Sequence, residues 1–143
     1  LSHLASRLFL VITMPNADTM GSLFRIEIAK LKKEFSGQVV CIESFGKENY
    51  FSALYYSKIL IGNTSSGIIE AASFGKYVVN IGDRQKGRMQ SENILNTPFV
   101  SEKIIEAVER AIEYGSFVGE NKYYNQHAAD LIINHIKQVN EIL

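Results

Sequence analysis

What most constrains this chain is a repeated switch between two hydrophobic periods. Short apolar runs at residues 8–12, 39–42, 59–61 and 77–81 alternate with stretches of helical spacing. A brief run of that kind is what a parallel strand needs when it is buried on both faces. Over residues 20–35, Phe24, Ile28, Leu31 and Phe35 recur on one helical face, and Gly37 follows as a stop. Shorter helices are predicted over 49–56 and 66–74, with Gly75 near the end of the second, and a short fifth strand within 92–100. Ser101 is a good N-cap for a helix from 102 to about 114 that carries Ile104, Val108 and Ile112 on one side. A last helix from about 126 to 142 aligns Ile132, Ile136 and Val139. Strand and helix in strict turn predict an α/β fold: a Rossmann-like, three-layer α/β/α parallel sheet with right-handed crossovers. Ligands of such sheets bind beyond the carboxyl ends of the strands. That selects the loops at 14–19, 43–50, 62–67 and 82–88, which are also the ones richest in glycine and polar residues.

Composition narrows the function. At 143 residues, the chain is expected to be a single domain spanning 1–143, long enough to bury roughly two thirds of its unfolded surface. Fifteen basic and fifteen acidic residues balance, so the overall field draws neither nucleic acid nor an anionic membrane. An anionic ligand must then be held by local geometry. No apolar stretch approaches the roughly 20 residues of a membrane span, and no signal-peptide pattern is present. Cys41 is the only cysteine and lies in an apolar run. It reads as a buried, inert thiol of a reducing compartment, here the cytoplasm. His3, His127 and His135 form no ligand spacing, and no metal site is expected. The chain opens on Leu1 rather than Met, which points to a piece of a longer protein.

The most informative segment is Gly62-Asn63-Thr64-Ser65-Ser66-Gly67, which leaves a strand and enters a helix. The first N–H groups of a helix lack intrahelical partners and carry partial positive charge. Thr64, Ser65 and Ser66 add hydroxyls, and Gly67 admits a close backbone approach. Together they suit a phosphate or diphosphate. The plainer reading, that Ser65 or Ser66 only caps the helix, is equally open from pattern alone. The segment matches neither the dinucleotide fingerprint nor the Walker motif. Glu70 is expected on the first turn of the same helix. There it either stabilises the helix or accepts hydrogen bonds from ribose hydroxyls. The loop Gly82-Asp83-Arg84-Gln85-Lys86-Gly87-Arg88 is either a solvated charged face or the source of an arginine for a phosphate bound at Ser65. Phe45 and Tyr50 either stack on a base or pack at the core edge.

These motifs resemble the hydrolysing UDP-N-acetylglucosamine 2-epimerases, nearest the branch that feeds sialic-acid-type sugar synthesis. The resemblance lies in 62–71, Phe74-Gly75-Lys76, 78–88 and Glu92-Asn93, and more weakly in the flanks from about 8 to 142. It implies a two-domain fold of the GT-B type, of which this chain is the C-terminal half. The partners it implies are UDP or a UDP-sugar and the N-terminal half of the same enzyme. A homo-oligomer stays open. By resemblance, Thr64, Ser65, Ser66 and Gly67 hold the diphosphate, Glu70 the ribose, and Arg84 lies near the nucleotide. Tyr50 contacts the uridine, and Phe45 sits where the backbone meets the uracil. The reaction so implied removes the C2 proton, eliminates UDP and adds water to give the C2-inverted free sugar, with no cofactor. Its main acid–base carboxylates belong to the absent half, so this chain alone is expected to be inactive.

The chain departs from the family at two points. Met14 stands about where many members carry a histidine, which leaves Asn16 and Asp18 as polar candidates in that loop. Tyr123-Tyr124-Asn125-Gln126 replaces a glycine-rich turn before the last helix. The rival readings are the nucleotide-sugar half of a GT-B glycosyltransferase and an α/β interaction domain whose Ser-rich turn is only a cap.

Overall fold

Each apolar run becomes a parallel strand in the computed structural model, which describes residues 1–15 and 21–140. The chain divides into two compact units, Leu1–Tyr56 and Ser57–Leu143. The first unit runs α1 (Ser2–Ala5), β1 (Leu10–Thr13), α2 (Gly21–Glu34), β2 (Val39–Ile42) and α3 (Gly46–Tyr56). The second runs β3 (Ile59–Gly62), α4 (Ser65–Ile69), a 3₁₀ turn (Ala71–Phe74), β4 (Tyr77–Ile81), β5 (Ile94–Thr97), α5 (Ser101–Tyr114) and α6 (Ala128–Asn140). Strands β1 and β2 pair in parallel, with Leu10 opposite Val39. In the second unit the order is β3-β4-β5, all parallel, with Gly62 opposite Asn80 and Asn80 opposite Asn96. Parallel strands with flanking helices make this an α/β, Rossmann-like arrangement.

In the first unit, α1 lies ahead of the first strand and was not visible in the sequence pattern. Leu8 N donates to Leu4 O at 2.8 Å, which keeps Leu8 in the turn and delays β1 to Leu10. Ala5, Leu31 and Val39 form the core, packed by Leu10, Ile12, Phe35 and Cys41. Cys41 is only partly buried, short of the full burial expected. Two more expectations fail here. β1 is half-buried rather than fully buried, because Val11 and Thr13 alternate to the exposed face. Phe24, expected on the apolar face of α2, is exposed, while Ile28 and Leu31 are buried.

In the second unit, Val78, Val79 and Asn80 are buried in succession along β4. Successive side chains point to opposite faces of a sheet, so β4 is covered on both. Its cover includes Ile68 and Ala71 on one segment and Val108 and Ala111 on α5, all fully buried. Each large apolar side chain so buried contributes about 1.5–3 kcal/mol. Helix α5 starts at Ser101 itself, and the N-cap is Val100 with no side-chain bond, so Ser101 is not the cap expected of it. On α6, Ile132, Ile136 and Val139 do align, but all three are exposed.

Candidate functional site

The Ser-rich turn begins where β3 ends. Gly62 takes φ +148°, a backbone region that favours glycine. Thr64 then adopts an extended backbone and caps α4: its Oγ1 accepts from Ser66 N at 3.3 Å. The cap is therefore Thr64, neither Ser65 nor Ser66. It uses a lone pair of the hydroxyl and not its proton. Asn63 and Ser65 are exposed, and Thr64 and Ser66 are half-buried, so the turn faces out of its unit.

The helix that follows is shorter than its pattern suggests. It closes at Ile69, and the chain tightens into the 3₁₀ turn at Ala71–Phe74, which ends on Gly75 in the left-handed region. Glu70 thus lies at the junction of the two, not on the first turn of one long helix. Ser66 Oγ donates to Glu70 Oε2, so these two expected binding residues are brought together. A five-residue helix sums few peptide dipoles. What this turn has to offer is therefore individual N–H and O–H donors more than a macrodipole. The junction is pinned from afar: Asn121 Nδ2 donates to Ile69 O at 2.9 Å and to Ser73 Oγ at 2.6 Å. No local pattern announced Asn121, which lies in the loop between α5 and α6.

Gly67 also has a packing role that its sequence pattern did not show. A Cβ there would stand 3.0 Å from Val78 Cγ1 and 3.3 Å from Leu60 Cδ2. The missing side chain lets α4 lie close against β3 and β4.

The loop after β4 folds back on the turn. Gly82 and Gly87 both have left-handed φ, and Gly82 N donates to Thr97 O at 2.8 Å. Asp83, Arg84, Lys86 and Arg88 are exposed, whereas Gln85 is buried. Arg84 Nη1 donates to Asn63 O at 3.2 Å, which sets the guanidinium beside the Ser-rich turn. Gln85 Nε2 donates to the same oxygen at 2.6 Å. Next to these lie amides near the strand ends, of which Asn80 is buried and Asn96 exposed. Asn80 Nδ2 donates to Asn96 Oδ1 at 2.7 Å, and Asn96 Nδ2 to Gln90 Oε1 at 2.7 Å. Sequence reasoning passed over Gln85, Asn80 and Asn96. The one signal was a polar residue inside an apolar strand run.

In the first unit, Phe45 and Tyr50 pack ring to ring, centroids 6.5 Å apart, and Tyr50 also meets Phe51 at 5.9 Å. Arg25 forks onto Glu43, Nη1 to Oε1 at 2.8 Å and Nη2 to Oε2 at 2.9 Å. Nη2 also donates to Pro15 O at 3.1 Å. This ties α2 to the segments that follow β1 and β2. Hydrogen bonding from Arg25 holds the Glu43 carboxyl below its usual pKa. Asn16 and Asp18 lie outside the described residues. Among the described residues, no cluster of His, Cys, Asp and Glu is arranged to hold a metal ion, and no helix is long and apolar enough to cross a membrane.

Compared with known proteins, residues 1–137 match the family described as UDP-N-acetylglucosamine 2-epimerase. The UDP-N,N'-diacetylbacillosamine 2-epimerase (hydrolyzing) of Legionella pneumophila is 34% identical over 124 residues, 83% of this chain and 32% of that protein. The polysialic acid biosynthesis protein P7 of Escherichia coli is 30% identical over 132 residues, 90% of this chain and 32% of that protein. The GDP/UDP-N,N'-diacetylbacillosamine 2-epimerase (hydrolyzing) of Campylobacter jejuni is 36% identical over 88 residues, 62% of this chain and 23% of that protein. The chain therefore spans about a third or less of the length of these relatives.

Proposed function

Because the chain belongs to the UDP-N-acetylglucosamine 2-epimerase family, we propose that it is the nucleotide-binding, C-terminal half of a hydrolysing epimerase of GT-B type. The observation that carries this is the outward-facing turn Thr64-Ser65-Ser66, with the Arg84 guanidinium anchored beside it on Asn63 O. In this reading the Thr64 and Ser65 hydroxyls and the main-chain N–H groups around Gly67 hold the diphosphate of UDP, and Arg84 neutralises it. Glu70, already joined to Ser66, offers its carboxylate to the ribose hydroxyls. For the diphosphate to gain the Ser66 hydroxyl as well, that hydroxyl must exchange its bond to Glu70.

The substrate class is a UDP-sugar with an acetamido group at C2, and the names of the Legionella and Campylobacter relatives favour a diacetylated one. A base takes the C2 proton, the C1–O bond breaks with its electron pair leaving on UDP, and a C1=C2 double bond forms. Water then adds its oxygen at C1 and a proton at C2 from the opposite face, giving the inverted free sugar. The turn stabilises the departing UDP, an electrostatic contribution. Proton transfer falls to acid–base groups of the N-terminal half, so this chain alone turns over no substrate. The reading places the enzyme in the cytoplasm.

Calorimetry of the chain with UDP and ADP tests the binding claim. UDP is expected to give the stronger heat, and Ser65→Ala or Glu70→Ala to weaken it about threefold to tenfold, the worth of one hydrogen bond. Equal or absent heats for both nucleotides, with the protein folded, overturn it. In the full-length protein, release of UDP and an N-acetylated sugar with no acceptor present distinguishes the epimerase from a glycosyltransferase.

A further inference from the structure

Gln85 is the one inward-facing residue in a run of charged ones. It is 2% exposed, while Asp83, Arg84, Lys86 and Arg88 face solvent. Its Nε2 reaches across 22 residues of sequence to the Asn63 carbonyl at 2.6 Å. Its Oε1 is also buried and has no hydrogen-bond partner among the described residues. An unpaired buried amide oxygen is destabilising, and an apolar side chain of the same length would fill the space without one. Folding alone therefore explains this glutamine poorly. What Nε2 holds explains it better.

A peptide group is planar and trans, so a C=O and the N–H that follows it point in opposite directions. Holding Asn63 O toward the loop at 82–88 aims Thr64 N–H the other way. Asn63, the residue before this peptide, is exposed, so burial of its own side chain does not hold the peptide in place. Were the peptide to turn over, a carbonyl would replace that N–H and oppose an anion. We infer that Gln85 is a positioning residue for the nucleotide: its buried amide fixes the Asn63–Thr64 peptide in the orientation that presents N–H to a phosphate. This rests on the UDP-binding reading of the turn.

The test is UDP calorimetry on the full chain, with thermal midpoints measured alongside. Gln85→Met keeps the length, loses the donor and removes the unpaired oxygen. Its midpoint is expected to hold or rise while UDP binds about tenfold more weakly, roughly 1.4 kcal/mol. Gln85→Glu is expected to bind more weakly still at about pH 8, where a carboxylate only accepts. Relative to the unsubstituted chain at the same pH, it recovers toward about pH 5, because burial at this position raises the carboxyl's pKa so that it protonates and regains an O–H donor. That pH-dependent rescue is a readout a purely structural glutamine would not give, and it keeps the test decisive if Gln85→Met fails to fold. Ser65→Ala is the control. If it weakens UDP while both Gln85 variants bind normally at both pH values, the positioning role is overturned and the site stands. If the unsubstituted chain takes no UDP, or Ser65→Ala leaves binding unchanged, the site reading falls and the Gln85 role falls with it.

Discussion

Replacing Gly67 with alanine sets two residue-scale effects against each other. Helix propensity favours alanine by roughly 1 kcal/mol. Overpacking a core typically costs about 1–3 kcal/mol. Val78, the nearest neighbour at 3.0 Å, is β-branched and almost fully buried, so it has little room to turn away. Overpacking should win, and Gly67→Ala is expected to lower stability by about 1 kcal/mol, read as a lower urea midpoint with an unchanged slope. An unchanged or higher midpoint would mean that α4 shifts freely over the sheet. The sequence marked Gly67 as special but did not show its packing against the strands, because that depends on which residues the fold brings beside it. Gln85 was illegible for the same reason. Nothing in a run of charged residues says which member turns inward.

At the scale of elements, β2 and β4 were read to the residue, since a short apolar run bounded by polar residues leaves little freedom. The helix expected over 66–74 was not. Its apolar spacing suits one continuous helix, but the structure tightens it at Glu70, where Asn121 from a distant loop takes the Ile69 carbonyl. The Arg25–Glu43 fork gives a pH prediction for the first unit. The Glu43 pKa is lowered in the folded state, so its contribution is present above the ordinary glutamate pKa and is lost as pH falls through the lowered one. The thermal midpoint of the unsubstituted chain should exceed that of Glu43→Gln by a constant margin near neutrality. The margin should shrink only in the acid range. A margin that is flat into strong acid would show that the fork is not maintained in solution.

For the whole molecule, charge balance at 15 against 15 separates local from long-range electrostatics. If geometry at the turn and Arg84 hold UDP, raising salt from about 50 to about 200 mM should weaken binding by no more than roughly tenfold, far less than for proteins that bind a polyanion through many phosphate contacts. A steeper loss would mean that the basic loop acts as a field and not as a clamp. Helix α6 shows a whole-molecule limit of pattern reading. Ile132, Ile136 and Val139 align as for a core, yet all three are exposed in this chain.

The sequence by itself determined the α/β class, the strand centres, the loops at the strand ends and the family. These follow from the order and period of apolar residues and from contiguous motifs, all of which are local. Only the tertiary structure decided that Thr64 is the cap, that Glu70 sits at a junction bound to Ser66, that Gly67 serves the sheet and that Gln85 reaches Asn63. Each of those depends on a contact whose partner is distant in sequence or set by a backbone turn, and side-chain type does not encode which partner a fold will bring within hydrogen-bonding reach.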